Sequence, residues 1–221
     1  MSSGENKKFG FYVSGNASRL LLILDQCPLL IADTCVVVND NGPNPDLARI
    51  LEEKKIDYIE FNYKEKQLKG KLQNEYVSSV LLVKFLEHQV DYCFSFGSRL
   101  LSGELLNTYH NKIINFHPAI LPMFPGVKAI DQALNSSSFL LGNTAHFIDS
   151  GMDTGPVIMQ AILHNKSFAT YEDILGLQIP MINQIYHWIS ENRITIENNK
   201  VHIVNAGYPA VQFYPLIEIK H

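Results

Sequence analysis

The sequence predicts a single α/β domain built on a mostly parallel, helix-flanked sheet, and three observations carry the prediction. Short runs rich in β-branched and aromatic residues alternate with longer segments whose apolar residues recur at helical spacing. The first run, Phe9–Val13, opens into a small-residue turn, Ser14-Gly15-Asn16-Ala17-Ser18, and then a helical segment. That layout aims backbone N–H groups at an anion, although any strand-to-helix turn also needs small residues. Finally, polar residues able to move protons cluster between Asn115 and Gly155, beside apolar runs and tight-turn residues.

Taken in order, Phe9–Val13 is a buried strand and Leu20–Leu24 has helical character. Thr34–Val38 is a second strand, closed by the turn chemistry of Asn39-Asp40-Asn41-Gly42-Pro43. Pro45–Lys55 places Leu47, Ile50 and Leu51 on one helical face. Tyr58–Phe61 is a third strand, and the charged stretch Asn62–Lys71 a solvated loop or helix end. Asn74–His88 carries Val77, Val80, Leu81, Val83, Lys84 and Leu86, a broad apolar stripe suited to packing on a sheet. Tyr92–Phe96 and Ile113–Phe116 are the fourth and fifth strands, Gly126–Leu134 is a short helix, and Thr144–Ile148 and Val157–Leu163 are further strands. Thr170, with Glu172 and Asp173 in the first turn, starts a helix that runs to about Ser190 and is kinked or broken at Pro180. From Ile194 onward short strand-like pieces lie in an irregular tail.

A chain of 221 residues can bury a core without staples. Its formal net charge of −4 advertises no polyanion, so no nucleic-acid partner is expected. Three cysteines stand in no metal-binding spacing, and Cys35 and Cys93 lie in apolar runs as small core residues. Met1–Lys8 is polar and unlike a secretion signal; it is expected to be a disordered segment ahead of one domain spanning residues 9–221. No apolar run reaches membrane-spanning length, so a cytoplasmic protein without a membrane partner is expected. His110, His117 and His146 lack ligand spacing with acids, so no metal is expected either.

A sheet of this kind collects ligands at the carboxyl ends of its strands. That edge gathers Ser14–Ser18, Gly97–Arg99, Asn115–His117 and the Asp149–Asp153 loop. Asn115 and His117 lie two residues apart on a strand and therefore project from one face. An imidazole can serve as acid, base or oxyanion partner near neutral pH, and an amide N–H2 can stabilise a developing oxyanion. An aspartate from a second loop can orient the imidazole or relay a proton. Each residue alone reads first as a hydrogen-bonded core histidine or a turn aspartate; the combination points to chemistry.

Asn115-x-His117-Pro118, Leu121-Pro122, Gly126, Gly142-x-Thr144-x-His146 and Asp153-x-Gly155-Pro156 together resemble the folate-dependent formyltransferases. Within that family the pattern is most similar to the phosphoribosylglycinamide (GAR) formyltransferase branch, which also shares the Ser14-Gly15-Asn16-x-Ser18 turn. The resemblance covers roughly Phe9 to Asn192 and extends to total length, leaving no room for the extra C-terminal domain of methionyl-tRNA formyltransferases. It implies a Rossmann-like sheet, the formyltransferase fold, and transfer of a formyl group from 10-formyltetrahydrofolate to a primary amine. By position it implies Asn115, His117 and Asp153 as the catalytic trio: the first two on the formyl oxygen, the third moving a proton, through water, from amine to folate nitrogen. It implies a folate pocket along Arg99, Leu101, Ile148, Asp149 and Gly151, and an acceptor phosphate on Ser14, Gly15, Asn16, Ala17, Ser18 and Arg19, with His146 supporting the aspartate loop. The implied partner is a small amine, phosphorylated or nucleotide-linked; an oligomer is compatible with the sequence.

The departures from that pattern lie mainly on the acceptor side. Arg19 stands where the branch has an asparagine, and Gly97-Ser98 where it has bulky apolar residues. Ile182 and Ile179 fall where the resemblance expects a ribose-binding glutamate and a polar phosphate-side residue, and isoleucine can hydrogen-bond neither group. GAR formylation in purine synthesis is the first reading and N-formylation of a nucleotide-linked amino sugar the second. A non-catalytic folate- or nucleotide-binding module and a 10-formyltetrahydrofolate hydrolase follow, the last disfavoured because family hydrolases carry an N-terminal regulatory domain.

Overall fold

A computed structural model describes residues 6–166 and 169–209; the rest of the expected N-terminal segment and of the irregular tail lies outside the described residues. Strands β1 (Phe9–Val13), β2 (Thr34–Asn39), β3 (Asp57–Glu60), β4 (Tyr92–Phe96), β5 (Ile113–His117), β6 (Leu140–Phe147) and β7 (Val157–His164) form one sheet in the order β3-β2-β1-β4-β5-β6-β7. β1 pairs in parallel with β2 and β4, β2 with β3, and β4 with β5. β7 runs antiparallel to β6. All five residues of β1 are buried, as a central parallel strand requires, whereas exposed residues recur along β7, as suits an edge strand. The chain groups into two compact units, Met1–Asn115 with Phe147–Gly155, and Phe116–His146 with Pro156–His221.

In the first unit the connections from β1 lead to β2 and β3 on one side and return to β4 on the other. β1 and β4 therefore flank the switch point at which such sheets bind ligands. Aromatic residues hold the pair in register: Phe9 opposes Tyr92 and packs on Phe94, with ring centroids 5.8 Å apart, and Phe11 packs on Phe94 and Phe96. Helix α1 (Ser18–Gln26) begins earlier than the apolar pattern suggests, and α2 (Pro28–Ala32) follows it. Helix α3 (Pro45–Glu53) buries Leu47 and Leu51, and the Asn44 side chain caps it by accepting from the Leu47 N–H (3.1 Å). The charged stretch holds a short 3-10 turn, Tyr63–Lys66, and the first residue of α4 (Lys71–Glu87). Val77, Leu81 and Phe85 of α4 share a core with Tyr12, Val36 and Cys93, whereas Val83 and Leu86 from the expected stripe face outward. Cys35 packs at the margin of that core, half-buried. Lys8, the last residue of the expected disordered segment, is bonded into the fold: its N–H donates to the Asp91 carboxylate (2.9 Å) and its carbonyl accepts from the Asp91 N–H (2.8 Å). Helix α5 (Glu104–Thr108) precedes β5.

The second unit contains α6 (Ala129–Leu134), α7 (Tyr171–Gly176), α8 (Gln178–Ser190) and, where strand-like pieces were expected, the hairpin β8 (Ile194–Glu197) and β9 (Lys200–Ile203). The hairpin turns through Asn198 and Asn199, both at positive φ (50° and 61°), as a tight two-residue turn demands. The break expected near Pro180 falls at Leu177, which places Pro180 in the first turn of α8, where a missing N–H costs no helical bond. Thr170 and Asp173 form a reciprocal capping box: the Thr170 hydroxyl accepts from the Asp173 N–H (3.2 Å), and Asp173 accepts from the Thr170 N–H (2.9 Å). Thr170→Ala is expected to cost about 1 kcal/mol, read as a lowered midpoint in denaturant at unchanged slope. Among the described residues no helix is long and apolar enough to cross a membrane.

Candidate active site

The turn after β1 passes through Gly15 (φ 67°) and Ala17 (φ 53°) and delivers the chain to α1, whose N-cap residue Ala17 has no capping side chain and whose first N–H, that of Ser18, donates to Asn16 Oδ1 (3.3 Å). Such a helix start attracts an acceptor, above all an anion. A cavity of about 70 Å³ opens there, lined by Ser14, Asn16, Ala17, Ser18, Arg19 and Phe96 among others. The Arg19 guanidinium lies 4.7 Å from the Phe96 ring centroid, and burial pulls its pKa below the ordinary value. A partly desolvated cation gains more from an anion than one in open water. Ser14 is engaged otherwise. Its hydroxyl donates to Asp40 Oδ1 (2.7 Å) and accepts from the Ser98 N–H (3.0 Å). Its single proton is spent on Asp40, so the hydroxyl has none for a phosphate, which only accepts.

The turn after β4 rests on the ring of Tyr12. A Cβ at Gly97 would lie 1.8 Å from Tyr12 Cε1, so no side chain fits at this position. The small Gly97 that departs from the family pattern is thus explained: Tyr12 fills that space from the neighbouring strand. The Tyr12 hydroxyl donates to Asp40 Oδ2 (2.6 Å); burial first, then the Asp40 charge, raises its pKa well above the ordinary value. Arg99 donates from Nη1 to Gln73 Oε1 (2.8 Å), and its guanidinium stacks 5.0 Å from the Tyr63 ring centroid. Its buried Nε–H has no acceptor among the described residues. An orphaned donor of this kind costs roughly 1–3 kcal/mol, a cost that a ligand carbonyl or carboxylate would remove. Leu101 and Ile148 meet in one core cluster. Leu101 is buried there, in the same cluster as Tyr63.

The aspartate loop starts where the Ile148 N–H donates to the Ile113 carbonyl (2.8 Å). Asp149 Oδ1 accepts from the Gly151 N–H (3.0 Å) and the Thr154 hydroxyl (2.8 Å), so this carboxylate closes the loop on itself. Asp153 is half-buried and sits in the left-handed region (φ 56°), a strained conformation for a residue with a side chain. A Cβ at Gly155 would lie 1.9 Å from the Phe147 carbonyl oxygen, which fixes the loop's exit.

Asn115 is half-buried on β5, opposite Ser95 of β4. His117 closes the same strand and is 4% exposed. Its Nε2–H donates to the Phe124 carbonyl (2.7 Å). The neutral ring then carries its lone pair on Nδ1, and that nitrogen donates only in the imidazolium. The loop after β5 is braced within its own unit. Thr144 donates to the Ala119 carbonyl (2.8 Å) and accepts from the Leu121 N–H (3.0 Å), while Gln160 donates to the Leu121 carbonyl (2.9 Å). His146 is buried on β6.

The isoleucines on α8 read differently in three dimensions. Ile182 is fully buried in the core and Ile179 partly so; a core side chain at 182 says nothing about an acceptor. The polar residue that α8 buries is Gln178, one turn earlier, which donates to Asn143 Oδ1 (2.7 Å) and the Phe116 carbonyl (3.4 Å). Asn143 in turn donates to the Ile174 carbonyl. Sequence reading missed both amides; the available signal was a glutamine set within the apolar run Ile174–Met181.

The chain matches the formyl transferase family over residues 7–175. It is 32% identical over 172 residues to the phosphoribosylglycinamide formyltransferase of Bacillus subtilis (strain 168), a match covering 76% of this chain and 85% of that protein. It is also 29% identical over 110 residues to the formyltetrahydrofolate deformylase of Escherichia coli (strain K12), covering 48% of this chain but only 39% of the relative. Among solved structures, glycinamide ribonucleotide transformylase 1 from Symbiobacterium toebii superposes with a TM-score of 0.78 at 28% identity, covering 92% of this chain and all of that one. With a seven-stranded sheet of this order, an anion-sized cavity at its switch point and a family match across most of its length, the chain belongs to the formyl transferase family and is a formyl-transferring enzyme.

Proposed function

We propose that the enzyme transfers the formyl group of 10-formyltetrahydrofolate to the amine of GAR. The observation that carries the acceptor assignment is the cavity at the start of α1, which sets the helix N-terminus beside the desolvated Arg19. It suits one phosphate group. The GAR formyltransferase from Bacillus subtilis, similar over most of this chain, supports the same acceptor.

Bound folate supplies the activated formyl group. Arg99, through its orphaned Nε–H, holds the donor, with Leu101 and Ile148 in the core cluster of Tyr63. Asn115 donates an amide N–H to the formyl oxygen as negative charge builds on it. His117, anchored through Nε2, adds a second donor as the imidazolium or takes a proton as the neutral ring. Asp153, through water, carries the proton from the attacking amine towards the leaving nitrogen. No metal enters this chemistry. The amino-sugar reading rested on Ile179 and Ile182, and the burial of Ile182 removes most of that support.

The test follows tetrahydrofolate release from 10-formyltetrahydrofolate with GAR, with a panel of nucleotide-linked amino sugars, and with no amine. Rapid turnover of GAR alone is expected. Turnover confined to an amino sugar would reassign the acceptor, and turnover without any amine would make the enzyme a deformylase. Arg19→Ala is expected to raise the KM for GAR by roughly 10- to 100-fold, with kcat little changed, as for a lost charge-assisted contact made equally in ground and transition states.

A further inference from the structure

Asp40, just beyond the end of β2, is fully buried and has no part in the proposed chemistry. A buried carboxylate is an expensive way to fill space and persists where its hydrogen bonds are needed. Here it makes bonds in four directions. Its carboxylate accepts from Tyr12 (2.6 Å) and Ser14 (2.7 Å); its carbonyl accepts from the Tyr63 N–H (3.4 Å); and its N–H donates to the Val13 carbonyl (3.3 Å).

Each of the three accepted bonds leads to the turn after β4. Ser14 passes the connection on by accepting from the Ser98 N–H (3.0 Å). The ring of Tyr12 is the floor under Gly97, too close for any Cβ. The ring of Tyr63 lies against the Arg99 guanidinium. Three consecutive residues, 97, 98 and 99, thus connect to one aspartate, the first two through its carboxylate and the third through its backbone carbonyl, and one of the three connections runs through the first residue of the turn assigned to the acceptor.

We propose that Asp40 is a positioning residue that locks the turn after β1 to the turn after β4, so that donor binding by Arg99 depends on a side chain, Ser14, that does not touch the donor. The proposal rests on reading residues 97–101 as the folate side of the site. It predicts a crossed effect, in which a change on the acceptor-side turn weakens the folate.

The experiment measures tetrahydrofolate binding to the full chain by calorimetry with no amine present, which keeps the result independent of the acceptor. Ser14→Ala, which removes the bridge and leaves the Tyr12–Asp40 bond in place, is expected to weaken binding roughly ten-fold, the scale of one lost hydrogen bond to a charged group. Asp40→Asn is expected to weaken it at least as much. Ser14→Thr restores the hydroxyl and should recover most of the affinity. A merely structural role for the bridge would lower the melting temperature and leave the affinity of the folded fraction unchanged; that result with Ser14→Ala overturns the proposal, as does failure of Ser14→Thr to recover affinity. If Asp40→Asn does not fold, the two Ser14 variants decide, because Ser14 is only half-buried. No tetrahydrofolate binding by the unsubstituted chain would overturn the folate reading itself, and the crossed effect with it.

Discussion

Asn115→Ala is expected to lower kcat by roughly 10²–10³, the cost of removing one preorganised oxyanion donor, with the KM for folate little changed. The reason lies in what the two β5 residues can donate. His117 has committed Nε2–H to the Phe124 carbonyl, so it offers a proton to the formyl oxygen only when the ring is protonated. The Asn115 amide donates at every pH and needs no proton from solvent. Asn115→Asp keeps the shape, replaces a donor with an acceptor, and should be no better than alanine. Single-turnover measurements with saturating folate separate the chemical step from binding. A loss in KM with kcat intact would move Asn115 from the reaction to substrate binding. Adding His117→Ala should cost much less than its effect alone, because in the proposed mechanism the two serve one developing charge.

Gly155→Ala is expected to damage both activity and stability. Its Cβ would sit 1.9 Å from the Phe147 carbonyl oxygen and 2.9 Å from the carbonyl carbon. These are backbone atoms of β6, which cannot step aside as a side-chain tip can. The loop from Asp149 to Thr154 must move instead, taking with it Asp153, already held at φ 56°. A destabilisation of about 1–3 kcal/mol is expected for such overpacking, with kcat down by roughly 10², as for a catalytic group displaced by about 1 Å. Denaturant unfolding and steady-state kinetics on one preparation check both. Full activity in Gly155→Ala would remove Asp153 from the proposed chemistry.

Strands β1, β2, β4 and β5 are legible in the sequence because buried parallel strands leave unbroken apolar runs. The start of β6 is not: Gly142 and Asn143 have poor strand propensity, and pairing with β7 overrides it. Helices α2 and α5 span five residues each, too few for any period to register. Among the proposed catalytic residues, Asn115, His117 and Asp153 stand out in the sequence because proline and glycine turn residues lie close to them. The buried polar residues Asp40, Asn143 and Gln178 do not. Asp40 stands inside Asn39–Pro43, where an aspartate reads as turn chemistry, and its partner Tyr12 lies 28 residues away. Ile182 falls where the resemblance expects a ribose-binding glutamate, and its full burial gives it a packing role instead.

The Gln178–Asn143 pair also bears on how α8 finds its seat. Its buried stripe holds Met181, Ile182, Ile185 and Ile189, residues of similar size and no directionality, beside the bulkier Tyr186. Such a face can be shifted by a turn, about 5.4 Å, and still bury a comparable apolar area. The amides cannot shift with it. Any slide would strand Gln178 away from Asn143 and from the Phe116 carbonyl, leaving buried polar groups unmatched. The apolar stripe thus drives the helix onto its unit without choosing among alignments, and two hydrogen-bonded amides choose the one alignment that is kept.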